Sequence, residues 1–374
     1  MPIPKKPTMV YRKLGKTNID ISLLSFGTMR WASEESCYET VQRGLDAGMN
    51  YLDCSTGYVG GMSEVWSGRA VKARRSEAYV SSKTMYGSAP TESALRRAIE
   101  NSLRRAELDY FDFYQLWGLS SMDMLRDALK KGGFVSGVRK AMEDGLIREG
   151  LGFTFHGSPE VFRAAVDTGE FMAATVSYNL MKRTEEENIR YAADKGVGIF
   201  VMNPLGGGVL AMAGDRQMSF LSDEGDGPWM GALRFLFANS GITAALVGVS
   251  APGHITRDLQ ALGGESLTES WRQGMAQTMD AVELTDPGFC TGCKYCEVCA
   301  KGFGPSKLMQ ALRNAKRYKV ADADLKQWIQ SAYVHDTAPE VQLTNCIECG
   351  LCEKKCPQHL AITEEIRRVK GLFL

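Results

Sequence analysis

Eight of the ten cysteines in this 374-residue chain fall in its last 85 residues, in two tight runs. Cys346, Cys349, Cys352 and Cys356 follow the spacing C-x2-C-x2-C-x3-C, with Pro357 directly after. Cys290, Cys293, Cys296 and Cys299 keep x2 spacing throughout, and Ala300 stands where the other run has its proline. Thiolates at x2 spacing converge on one face of a cuboidal cluster, and the fourth cysteine of an x2, x2, x3 run reaches a second cluster. That pattern predicts one [4Fe–4S] cluster on Cys290, Cys293, Cys296 and Cys356, and another on Cys346, Cys349, Cys352 and Cys299. Two all-cysteine zinc sites are the alternative, but zinc needs only paired cysteines, and a third cysteine in each run is then surplus. Far upstream, Asp53, Tyr58 and Lys83 offer a second chemistry. A buried ammonium lowers the pKa of a nearby phenol, and a carboxylate holds that ammonium in place, so the trio can move a proton.

Such groups need a frame. Short β-rich runs alternate with amphipathic stretches: Leu23–Gly27, Asn50–Asp53, Ala78–Lys83, Tyr110–Trp117, Glu149–His156, Ala173–Tyr178, Val197–Asn203 and Ala244–Ser250. Between them helices are expected; in 91–106, Leu95, Ile99 and Leu103 recur at i+4, with Pro90-Thr91 as the start. Eight strands alternating with helices over about 285 residues predict an α/β fold, a closed (β/α)8 TIM barrel. An open dinucleotide-binding sheet usually carries GxGxxG after its first strand, and none is present. The stretch 11–22 reads as a hairpin capping the barrel floor. Thr285-Asp-Pro-Gly breaks the pattern, which sets a barrel domain at 1–285 and an iron–sulfur domain at 286–374. The insert between the cysteine runs has helix-like stretches around 306–318 and 322–333, so the second domain is expected to be small, mainly helical and ferredoxin-like.

Forty-four basic side chains balance 44 acidic ones, so no net field favours nucleic acid or an anionic membrane. No run reaches the roughly 18 apolar residues of a membrane span, and "MPIPKKPTMV" leads into no apolar signal core. Cysteines without a secretory context point to metal binding in a reducing compartment, hence a cytoplasmic protein. Cys37 and Cys54 read as packing residues.

In a (β/α)8 barrel the chemistry sits at the C-terminal strand ends. Asp53 ends the second expected strand, Tyr58 follows five residues on, and Lys83 closes the third. His156, ending the fifth, either adds acid–base capacity or simply holds the strand end. His254 and His335 have no evident partners, while His359 follows the cluster run and is placed to tune it by hydrogen bonding.

The strings "YRKLGKTNIDISLLSFGTMR", "NYLDCSTGYVGGMSE", "VSSKT", "DYFDFYQLWG", "GLGFTFHGS", "VSYNLM", "VMNPLGGG" and "VGVS", with both cysteine runs, resemble the aldo-keto reductase superfamily, and within it the members with a C-terminal ferredoxin-like domain. The resemblance spans nearly the whole chain. It implies that Asp53, Tyr58 and Lys83 are catalytic, with Tyr58 protonating a carbonyl oxygen as a nicotinamide hydride arrives. It implies an oxidoreductase acting on a carbonyl or alcohol, and an aromatic set of Trp31, Trp66, Tyr86, Trp117 and Trp229 suits a sugar or planar small molecule. Where the family has histidine, this chain has Trp117. Indole donates one N–H and cannot relay a proton. The expectation is therefore carbonyl chemistry with an altered oxyanion site; a redox-neutral lyase or dehydratase, or a ferredoxin-linked redox enzyme, is the alternative. The family's cofactor loops match Pro204, Leu205, Gly206 and Gly207 in "NPLGGG", and Gly248, Ser250, His254 and Arg257 in "GVSAPGHITRDL", implying NAD(P)(H). At the nicotinamide end the matching positions are Thr154, Phe155 and Thr175, none of them the family's residue. A hydride carries two electrons and a cluster passes one, so the clusters are either structural or exchange electrons with a ferredoxin or other carrier.

Overall fold

Apolar strands buried on both faces are what a parallel sheet wrapped in helices requires, and eight such strands form the frame here. The computed structural model describes residues 9–211, 220–221, 228–263, 268–283, 290, 294–317, 320–330, 333, 343–356 and 358–373. Two short strands, β1 (Tyr11–Lys13) and β2 (Asp20–Ser22), pair antiparallel. They precede β3 (Leu24–Gly27), β4 (Tyr51–Asp53), β5 (Tyr79–Met85), β6 (Phe111–Leu119), β7 (Ile147–Phe155), β8 (Ala173–Ser177), β9 (Gly198–Met202) and β10 (Ala244–Gly248). The last eight are parallel and close into a barrel in sequence order, with β10 between β9 and β3. This is the expected (β/α)8 fold, with strand ends shifted by one or two residues because the hydrogen-bond ladder, not the apolar run, sets them.

The hairpin closes the floor. Leu14 and Ile21 are fully buried among Tyr51, Tyr79, Phe113, Phe200, Ala244 and Leu246, and Tyr51 stacks on Phe200 at 4.2 Å. Gly15 has φ +54°, and a Cβ there would lie 2.1 Å from the carbonyl oxygen of Gly196, so the turn admits only glycine. Arg12 fastens the hairpin by donating to the carbonyls of Asn239 and Ile242 at 2.7 and 2.6 Å. Burial pulls that guanidinium down to about 10.

The helix Glu92–Ala106 shows how the outer layer forms. Leu95, Ile99 and Leu103 are buried, each worth roughly 1.5–3 kcal/mol, and the Thr91 side chain accepts from Ala94 N as the N-cap.

The chain forms two compact units, Met1–Gly206 with Leu210–Ala276, and Gly207–Val209 with Gln277–Leu374. The boundary expected at 285 lies in 284–289, outside the described residues. In the second unit, helices Pro305–Arg317, Asp322–Ile329, Leu351–Lys354 and Ile362–Gly371 surround Phe303, Leu308, Ile329, Ile362, Ile366 and Val369. Trp328 Nε1 donates to Ala311 O at 2.9 Å, tying the first two helices. No helix among the described residues is long and apolar enough to cross a membrane.

Candidate active site and cysteine centre

Parallel register brings the barrel's polar residues together. Asp53 pairs with Ser81, and Lys83, two residues on, shares the face of Ser81. Lys83 Nζ donates to Asp53 Oδ2 at 2.6 Å and to Cys54 O at 3.0 Å, with the two side chains 1% and 6% exposed. Tyr58 leaves β4 in a tight loop and is itself buried; Lys83 Nζ lies 4.6 Å from its ring centroid. Val59, next in the chain, has φ +53°, followed by Gly60 at +60° and Gly61 at +92°. A β-branched residue there is strained by about 1–3 kcal/mol, a cost tolerated where a conformation serves a site.

Trp117 pairs with Met85 on β5 and meets the Tyr58 ring edge-on, centroids 5.8 Å apart at 75°. Its benzo edge lies on Gly57, where a Cβ would sit 2.8 Å from Cη2. Glycine at 57 is thus what admits an indole beside Tyr58.

Sequence reasoning missed Gln115. Its Nε2 donates to Asp53 Oδ1 at 2.8 Å and Ser81 Oγ at 3.1 Å, and its Oε1 accepts from Thr175 Oγ1 at 2.7 Å. The signal was its spacing: two residues before Trp117 on one strand, it faces the same way. Thr154 Oγ1 accepts from Gly118 N at 2.8 Å. Phe155 turns to the helical layer, 5.0 Å from Phe162, and is no part of the interior. His156 lies just past β7, its N–H donating to Leu119 O at 3.0 Å, on the Thr154 face.

Asn203, with φ +61°, opens the loop after β9, and Asn179 Nδ2 fixes it by donating to the Asn203 carbonyl at 3.0 Å. Pro204 and Leu205 lead to Gly206 at φ +58° and Gly207 at +69°. A Cβ on Gly206 would lie 2.5 Å from Met181 Cε. The Gly206 N–H closes this turn by donating to the Asn203 carbonyl at 3.1 Å. Gly248 ends β10, and the Ser250 carbonyl accepts from Ser36 Oγ at 2.9 Å. His254 lies in the helix Pro252–Leu259. Arg257 is already engaged: it pairs with Asp258 at 2.7 Å and lies 5.1 Å over the Trp229 ring. Burial pushes the Asp258 carboxyl up, with Arg257 opposing.

Trp31 and Trp229 are core residues, only 3% and 5% exposed, and Trp31 Nε1 donates to Ser67 Oγ at 3.0 Å. The expected aromatic mouth loses these two because packing claims their large apolar surfaces. Cys37 and Cys54 are buried as expected, and desolvation first of all pushes the Cys54 thiol up to about 12.

In the second unit Cys290, Cys296 and Cys356 are buried in one core, with Cys299, Cys346 and Cys352 packed against it half-exposed. Cys349 is exposed. Cys293, Pro357 and His335 lie outside the described residues. His359 is exposed with φ +51°. Among the described residues, no three Cys, His, Asp or Glu side chains converge closely enough to hold one ion, so the geometry does not itself sort thiols between clusters. The donor chemistry fits iron–sulfur nonetheless: soft sulfur ligands in an apolar surround.

Residues 23–273 match the Aldo/keto reductase family, and residues 289–361 match the 4Fe-4S dicluster domain. An L-galactose dehydrogenase of Arabidopsis thaliana is 26% identical, covering 73% of this chain and 92% of that protein. An uncharacterized oxidoreductase of Bacillus subtilis, YqkF, is 23% identical over 69% of this chain and 92% of its own. Among solved structures, the holo form of an aldo-keto reductase from Bacillus halodurans superposes with a TM-score of 0.63 at 22% identity, covering 72% of this chain and 96% of that one. An aldo-keto reductase of Klebsiella pneumoniae in complex with NADPH gives 0.60 at 20% identity, covering 72% and 95%. The chain belongs to the aldo/keto reductase family, as an oxidoreductase whose barrel is joined to a 4Fe-4S dicluster domain.

Proposed function

We propose that the barrel reduces a carbonyl compound, or oxidises the matching alcohol, with Tyr58 as general acid and base. The observation that carries this reading is the buried Lys83 ammonium, 2.6 Å from Asp53 Oδ2 and 4.6 Å from the Tyr58 ring centroid. Asp53 orients Lys83. The Lys83 charge then stabilises the phenolate left when Tyr58 gives its proton to the carbonyl oxygen. For alcohol oxidation the same phenolate takes the proton back. Trp117 offers the substrate oxygen one N–H and no second protonation state, so it can act as an oxyanion donor only. Bound NAD(P)H supplies the hydride for the carbonyl carbon. Gly206, Gly248 and Ser250 would face its phosphate-bearing portion, and the Thr154 and Thr175 hydroxyls its nicotinamide end. The NADPH complex of the Klebsiella protein supports this cofactor, and the relative named for L-galactose supports a sugar-like substrate.

The test is a calorimetric titration of NADPH and NADH into anaerobic, iron-replete protein, followed by turnover on a panel of aldoses and simple ketones. Micromolar binding with carbonyl turnover is expected. No binding to folded, iron-loaded protein would sink the hydride reading and leave the lyase or ferredoxin-fed alternative.

The second unit, on the same proposal, carries two [4Fe–4S] clusters, one on Cys290, Cys293, Cys296 and Cys356 and one on Cys346, Cys349, Cys352 and Cys299. Iron analysis should return about eight irons per chain, and Cys356→Ser about four. About two metal ions per chain with no sulfide would indicate zinc instead.

A further inference from the structure

Inside the barrel, one amide holds the far side of the Asp53–Lys83 pair. Resting on the proposed role of Tyr58, we infer that Gln115 is a positioning residue that sets the proton affinity of Tyr58 by clamping Asp53, and that Thr175 sets the direction of that clamp. A carboxylate bound through one oxygen can swing about its last torsion, which is broad and roughly two-fold. Asp53 is bound through both: Oδ2 to Lys83 Nζ at 2.6 Å, and Oδ1 to Gln115 Nε2 at 2.8 Å. Gln115 has its own orientation imposed. Ser81 Oγ lies 3.1 Å from its nitrogen, and the Thr175 hydroxyl donates to its oxygen at 2.7 Å. With the amide reversed, an N–H would face the Thr175 hydroxyl, which could still accept, but the amide oxygen would face the Asp53 carboxylate. Two acceptors in contact repel, so the reversal is disfavoured.

Gln115, Asp53, Lys83, Ser81 and Thr175 are all buried, so water does not substitute for a lost partner. Among the described residues, Lys83 from β5 lies 4.6 Å from the Tyr58 ring centroid, and Asp53 from β4 holds Lys83. Glu64, though buried, is turned to Ser82 Oγ at 2.6 Å and to Arg105 at 2.6 Å. Tyr51 and Cys54 also lie within reach of the Asp53 charge, and burial holds both as neutral acids. Loss of the clamp leaves Asp53 free to swing, and Lys83 follows it away from the phenol. The phenolate then loses its cation, so Tyr58 gives up its proton at a higher pH.

The experiment is an NMR titration of full-length, iron-loaded protein made with ring-labelled tyrosine, the Tyr58 signal being assigned by its absence in Tyr58→Phe. Gln115→Met, close in volume and without the amide, is expected to move the Tyr58 midpoint up by about one pH unit. Thr175→Val, which keeps shape and loses only the hydroxyl, should move it the same way by less, and it serves if the methionine variant does not fold. An unchanged midpoint in whichever of these variants is folded overturns the inference, whatever the stability change. The readout needs no substrate. A shifted midpoint in protein that turns over no carbonyl would sink the proposed reaction and leave the clamp standing. Normal turnover with an unshifted midpoint would do the reverse.

Discussion

Tyr58→Phe should lower kcat for carbonyl reduction by about 10²–10⁴-fold, or roughly 3–5 kcal/mol of transition-state stabilisation, with little change in cofactor binding. The substitution removes only the hydroxyl. The ring stays edge-on to Trp117 and beside Lys83, so the packing that buries it is retained. What goes is the hydroxyl to which the proposed reaction assigns the proton transfer. Trp117 cannot replace it, since the indole N–H donates a hydrogen bond without releasing its proton. Single-turnover kinetics with saturating cofactor are the right measurement, because they isolate the chemical step. Full activity in the variant would mean that Tyr58 is a wall of the pocket and not its acid, and attention would move to His156.

Lys83→Met is expected to be the most destabilising single change in the barrel interior. It leaves the Asp53 carboxylate, 6% exposed, without its cation. Breaking a buried pair by removing one partner typically costs about 3–5 kcal/mol, because the remaining charge has lost its counter-ion and does not regain water. For a barrel of this size that corresponds to a fall in melting temperature on the order of 10 °C. The double variant Asp53→Asn/Lys83→Met should recover much of the loss, since no charge is then stranded, while remaining as inactive as the single one. Thermal denaturation of the single and double variants settles it. Equal stability of Lys83→Met and the native chain would contradict the ion pair's burial.

Much of this molecule was legible in order of residues alone. Runs such as Ala78–Lys83 and Ala173–Tyr178 are apolar, short and separated by helix-length amphipathic stretches, and a chain built that way has few ways to bury its strands other than a closed parallel barrel. Strand ends were readable to within one or two residues: Asp53 ends β4 as expected, whereas β5 runs two residues past Lys83, to Met85. The spacing of the eight cysteines is local chemistry and needed no fold to be read.

Other features depend on residues far apart in sequence meeting in space. Gln115 and Thr175 are 60 residues apart, and no local pattern announces that their side chains touch. Gly57 and Trp117 likewise reveal their fit only when the β4 loop lies over β6. Trp31 and Trp229 read as mouth residues, since an aromatic side chain has the same composition in a core as at a pocket; packing put them in the core. Arg257 looked available for a phosphate until Asp258 and the Trp229 ring were found against it. The sequence by itself determined the barrel and the 4Fe-4S domain, because strand–helix alternation and cysteine spacing are encoded within one element or between successive ones, and it placed Asp53, Tyr58 and Lys83 where the proposed chemistry needs them. Which polar groups clamp that trio only the tertiary structure decided, since those contacts close across the barrel, where partner and distance follow from the register of strands that the chain visits far apart; that Arg257 is engaged followed from side-chain orientation within its helix and from the Trp229 ring packed against it.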